Sequence, residues 1–150
     1  MPEHWHLRTL SLACLLAWPL PLAAQDARPL SASSRWLRVV RNTDLTAYID
    51  RESIGGHYSD QLEVWNLWEF AKAQGDRSDE FDSVMFRWQI NCSQRRVKPT
   101  EATYYRKRKS IHSESLPFED WQSLPPESTG ETILIQSCRL AAGDPVDTVP

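Results

Sequence analysis

Three cysteines, four histidines and one dense run of bases are the groups in this chain of 150 residues whose chemistry could define a function. Cys92 ends the stretch VMFRWQINC, in which Val84, Phe86, Trp88 and Ile90 fall on every second position, so the cysteine shares the phase of an apolar strand face. A metal site would need further ligands. Past the N-terminal stretch only His57 and His112 remain, neither at a ligand-like spacing to a cysteine, and no metal or other cofactor is expected. A redox-active pair would read Cys-x-x-Cys, whereas Cys92 and Cys138 lie far apart. A catalytic thiol needs a free cysteine beside a histidine, and oxidising export tends to consume it. A structural disulfide between Cys92 and Cys138 is the reading left.

Other groups offer little to a reaction. Asp50 and Glu52 are the closest approach to a carboxylate pair, but two residues apart beside Ser53 they are expected to cap a turn. His57 and His112 lack a visible nucleophile or orienting partner, and no phosphate loop is present, so the chain is not expected to be an enzyme.

Binding chemistry is better represented. Between residues 95 and 109 lie seven bases, Arg95, Arg96, Lys98, Arg106, Lys107, Arg108 and Lys109, against the single acid Glu101, within a chain of net charge −3. Carried on neighbouring strands, these bases would converge into a patch for an acidic protein, a sulfated glycan or anionic lipid headgroups. As an isolated strand end they would only guard a sheet edge against aggregation. Trp65 is out of phase with Leu62, Val64 and Trp68, which puts it on the back of the sheet as a candidate contact residue. Trp68 and Trp88 are expected in the core. The acidic balance and the expected export both argue against a nucleic-acid partner.

The elements that must position these groups follow from local pattern. Residues 1–24 read as a secretory signal peptide: Thr9 to Ala24 is apolar, ends in small residues and is interrupted by Pro19 and Pro21, so no integral membrane span is expected. Cys14 would leave with it. Residues 25–34 have linker composition. A hairpin is expected from Trp36 to Ile49 around the turn signal Asn42 to Asp44, then a compact turn from Asp50 to Gly56 and a strand through QLEVWNLWEFA. A polar connection from Ala73 to Glu80 leads to the strand Phe81 to Cys92, and Ala102 to Lys109 reads as a further strand with a basic end. Ser128 and Glu131 form a capping-box pattern for a short helix that presents Leu134 and Cys138 on one side. Residues 141–150 are expected to form a disordered tail.

AYIDRESI (Ala47 to Ile54), EVWNLWEF (Glu63 to Phe70), RWQINCSQRR (Arg87 to Arg96) and a late cysteine after a short helix resemble, in order and spacing, the surface-adhesin protein E family across residues 35–140. The resemblance implies an exported Gram-negative protein held in the periplasm or at the cell surface. It also implies an α+β fold: a curved antiparallel β-sheet of about five to six strands, with a C-terminal helix packed on one face and tied by the disulfide. It further implies a non-enzymatic binding module for extracellular matrix or serum proteins such as vitronectin and laminin; the basic residues, independently, offer sulfated glycans as the polyanionic alternative. The competing expectation is a structural periplasmic protein with no host ligand, whose partners are other envelope components or a second copy of itself in a homodimer.

Overall fold

The structure is a computed structural model that describes residues 29–58, 61–117 and 120–149. The expected signal peptide, and residues 25–28 of the expected linker, lie outside the described residues.

Eight strands form one antiparallel sheet. Strand β1 (Trp36–Arg41) pairs with β2 (Leu45–Asp50) around the expected turn, where Asn42 Oδ1 accepts the amides of Asp44 and Leu45, both at 2.9 Å. That side chain stands in for backbone partners the turn would leave exposed. Short β3 (Gly55–Tyr58) and then β2 share one edge of the long strand β4 (Gln61–Gln74). β4 returns as β5 (Phe81–Asn91) in unbroken register from Gln61↔Asn91 to Glu69↔Ser83. The connection needs Gly75, whose φ is 85° and whose absent Cβ would sit 2.8 Å from the Asp79 carbonyl oxygen. β6 (Arg96–Arg106), β7 (Lys109–Ser115) and the two-residue β8 (Gln122–Ser123) complete the sheet, in the order β1-β2-β4-β5-β6-β7 with β8 beside the start of β6.

The basic segment expected as one strand end is instead a two-residue hairpin. Lys107 and Arg108 both take positive φ, 48° and 69°, the geometry that matches strand twist in a tight turn. No glycine or asparagine marks it. The Lys107 amide, freed from the ladder, donates to Asp82 at 2.6 Å.

Register explains the core. Leu62, Val64, Asn66 and Trp68 lie opposite Ile90, Trp88, Phe86 and Val84, and this face, with Ala47, Ile49 and Val97, receives Ile133 and Leu134 of the helix α1 (Thr129–Ala142). Asn66 breaks the apolar pattern yet is fully buried, because its Oδ1 accepts the Trp68 indole N–H at 2.8 Å and its Nδ2 donates to the Phe86 carbonyl at 3.4 Å.

α1 begins as expected, with Ser128 Oγ accepting the Glu131 amide at 3.1 Å. The reciprocal half of the capping box differs: the Glu131 carboxylate takes the Glu127 amide and Arg95, each at 2.7 Å, so it ties the helix start to the β5–β6 turn. The helix ends at Gly143 with φ 78°. Cys138, in the second half of α1, is bonded to Cys92 just beyond β5, with the Cα atoms 5.8 Å apart. α1 packs on β1, β2 and β4, and the disulfide extends its hold to β5. Beyond α1 the chain takes a defined path back to β1. Asp147 bonds Gln136 and Arg139, and the Val149 carbonyl and amide meet Arg38 Nε and the Arg38 carbonyl at 2.9 and 3.2 Å. The Val149 bonds occupy part of an edge that would otherwise be open.

Candidate functional site

The seven bases do not form one patch. Arg95, Arg96 and Lys98 sit at one end of β6 and Arg106 to Lys109 at the other. Ten residue steps along a strand separate Arg96 from Arg106, about 33 Å. Each group also meets acids that other elements bring to it. Arg95 pairs with Glu131 at 2.7 Å and Arg106 with Glu80 at 2.5 Å, and the Lys107 amide at the hairpin tip donates to Asp82 of β5. The tip is therefore a mosaic of both signs. At the other end, the side chains of Arg96 and Lys98 make no ion pair with the described residues.

Those two bases share a face with Trp65. The register places Glu63, Trp65 and Leu67 of β4 beside Gln89, Arg87 and Met85 of β5, and these beside Lys98, Glu101 and Thr103 of β6. All of them except Leu67 are half-buried, and α1 lies on the opposite side of the sheet. Arg87 is the hinge of this surface. Its guanidinium lies 6.0 Å from the Trp65 ring centroid and donates to Glu63 at 2.7 Å, while Gln89 reaches the same carboxylate at 3.3 Å. The Arg87 hydrogen bond holds the Glu63 carboxyl below its ordinary pKa. Burial, with Glu101 nearby, raises the Tyr105 phenol on the same face.

One margin of the face is closed by the chain before β1. The Ser31 amide and hydroxyl donate to Glu69 at 3.3 and 3.0 Å, Arg35 pairs with the fully buried Asp50, and burial raises the Tyr48 phenol beneath them. Leu67 is fully buried there. What stays open is a strip of Trp, Met, Arg and Tyr side chains with satisfied charges. That is the composition enriched at protein interfaces, where single aromatic and arginine anchors carry most of the energy.

Trp65 was marked by its phase. Arg87 and Glu63 were not, although the signal was present: Arg87 is out of phase in VMFRWQINC as Trp65 is in QLEVWNLWEF, so the two must share a face. Of Asp50 and Glu52, it is Asp50 that caps the turn. Asp50 Oδ1 accepts the Glu52 amide at 3.1 Å, its carbonyl accepts the Ser53 amide and hydroxyl, and Ser53 Oγ in turn accepts the Trp65 amide at 2.8 Å, which anchors that strand position. His57 lies on β3 and His112 on β7, where the latter's ring stacks on Tyr104 with centroids 5.9 Å apart. Trp88 is core, while Trp68 and Trp121 are half-buried. Among the described residues no cluster of three or more His, Cys, Asp or Glu could hold a metal ion, and no helix is long and apolar enough to cross a membrane.

The geometry can be set beside known proteins. No curated protein sequence matches the chain. Among solved structures, the crystal structure of protein E from non-typeable Haemophilus influenzae superposes with a TM-score of 0.51 at 18% identity, covering 79% of this chain and 86% of that one. A second structure of Haemophilus influenzae protein E matches equally, over 73% of this chain and 88% of its own, and its crystal form II over 77% and 93%. At that identity the likeness shows the fold. The family described as surface-adhesin protein E matches residues 36–139, from the first residue of β1 to the residue after Cys138, and the chain belongs to that family.

Proposed function

We propose that the protein is an exported, non-enzymatic binding module of a bacterial envelope, and that it holds a protein partner on the face opposite α1, centred on Trp65 and Arg87, with Arg96 and Lys98 at its basic end. The observation that carries this reading is the Trp65–Arg87–Glu63 cluster, held half-buried on the sheet face opposite α1. Export is the reading of residues 1–24 as a cleaved signal, in keeping with the disulfide, since such bonds persist in oxidising compartments. Matrix and serum proteins are the partner class, and an extended polyanion is disfavoured because the seven bases are split and partly paired.

The test is binding of purified protein to immobilised laminin and vitronectin, with Trp65→Ala and Lys98→Glu set against Lys107→Glu at the hairpin tip. Loss of a central tryptophan anchor costs about 2 kcal/mol or more, roughly thirtyfold in Kd, while the tip variant leaves binding unchanged. Equal binding by Trp65→Ala removes the face from the proposal, and salt-sensitive loss with Lys107→Glu transfers it to the tip. Protease accessibility on intact cells separates the settings: digestion places the face where host proteins reach it, and protection until lysis leaves a periplasmic envelope protein with an internal partner.

A further inference from the structure

On the other side of the sheet, beyond the strands that α1 covers, the β4–β5 connection and strands β5, β6 and β7 enclose a cleft of about 380 Å³ lined by Asp79, Phe81, Tyr104, Ile111, His112 and Glu114. Its walls are aromatic. Phe81 stands edge-on to Tyr104, with centroids 5.0 Å apart and planes 70° apart, and His112 stacks on the Tyr104 ring at 28°. Ile111 is 44% exposed at the rim, the one large hydrophobic residue so exposed among the described residues. The lining carries two carboxylates and no Lys or Arg, its other polar groups being the His112 ring, the Tyr104 hydroxyl and Ser78. Glu114 accepts the Tyr104 hydroxyl on Oε1 at 2.8 Å, and Asp79 accepts Ser78 Oγ on Oδ2 at 3.3 Å. In each the second oxygen makes no hydrogen bond with the described residues, Glu114 Oε2 lying 4.0 Å from His112 Nε2.

We propose that this cleft is a binding site for a guanidinium group. Rings attract a cation over their faces, and free carboxylate oxygens accept its N–H donors. A planar guanidinium can do both at once, stacking on a ring while donating in its own plane. A quaternary ammonium would leave both carboxylates unused, and an anion would meet two like charges. The site is independent of the Trp65 face, because it lies on the opposite side of the sheet. Its ligand chemistry has two sources, a free guanidine compound or an arginine residue of a polypeptide.

The test is titration of the purified protein, followed by NMR at the Ile111 methyl and the Tyr104 and His112 ring protons. The probes are agmatine as the free guanidine, N-acetyl-arginine amide as the chain residue, and N-acetyl-citrulline amide as the neutral isostere. Saturable shifts with a dissociation constant on the order of 1 mM are expected for a guanidine and not for citrulline. Tighter binding of agmatine identifies a free ligand, and tighter binding of the arginine amide a polypeptide. Glu114→Gln, which keeps an acceptor for Tyr104, weakens binding by about fivefold or more. Tyr104→Phe retains it within about twofold, because the ring remains. Equal binding of citrulline, an unaffected Glu114→Gln variant, or no saturable shift by either guanidine up to about 50 mM overturns the proposal.

Discussion

Reducing the Cys92–Cys138 bond, or replacing both cysteines by alanine, tests how the helix is held. The cross-link closes a loop of 46 positions, for which loop-closure entropy in the unfolded chain gives about 4 kcal/mol. That is a large share of the 5 to 15 kcal/mol typical of a domain. The structure gives it a place to act. α1 reaches the sheet through Ile133 and Leu134 at its start, and in its second half the covalent tie at Cys138 joins it to the end of β5. For a domain of this size each kcal/mol moves the melting temperature by about 4 °C, so the double alanine variant should melt about 15 °C lower. Urea unfolding should show the same loss together with a larger m-value, because the unfolded chain without the cross-link is more expanded. Circular dichroism melts with and without a phosphine reductant, beside the double variant, separate loss of the bond from side reactions of thiols. A shift under about 2 °C in both would refute the reasoning, since the helix would then be held by packing alone.

Two further outcomes follow from individual side chains. Ser137 is fully buried on α1 and its hydroxyl has no hydrogen-bond partner among the described residues, so Ser137→Ala should raise stability by about 1 kcal/mol in urea unfolding, and a loss would mean that the hydroxyl is bonded. The Arg87 guanidinium holds the Glu63 carboxyl below the ordinary glutamate value of 4.5, so its contribution is present above that value and is lost as pH falls through the folded value. Both side chains are more than a third exposed, which limits the contribution to under about 1 kcal/mol. Glu63→Gln should therefore be slightly less stable than the parent at neutral pH and equal to it once the pH has fallen below the folded value of the carboxyl; a difference that persists in acid refutes the assignment.

Where local pattern and tertiary need agreed, the chain could be read directly. The β1–β2 hairpin is announced by Asn42, the β5 strand by its period of two, and α1 by Ser128 and Glu131, because each signal acts within a few residues of its effect. The disulfide was legible by elimination. The β6–β7 turn was not, because Lys107 and Arg108 are poor markers of left-handed backbone, and what helps hold the turn is an amide bond to Asp82 on another strand. Asn66 looked like a flaw in β4 for the same reason: the groups that satisfy it belong to Trp68 and Phe86, and only folding brings them near.

The charged residues show the same limit at the level of function. Counted along the chain, residues 95 to 109 are the strongest feature of the sequence, yet a strand carries its ends about 33 Å apart, and pairing supplies each end with acids from other elements. Phase and density point to different residues. Trp65 and Arg87 are each one step out of register with the core residues beside them, and an antiparallel ladder that puts Val64 opposite Trp88 must also put Trp65 opposite Arg87. A period-two strand with a buried face therefore specifies its second face as firmly as its first. Under the proposed function a partner is met on this second face, which gives the functional weight to residues that depart from the apolar pattern rather than to those that are most charged.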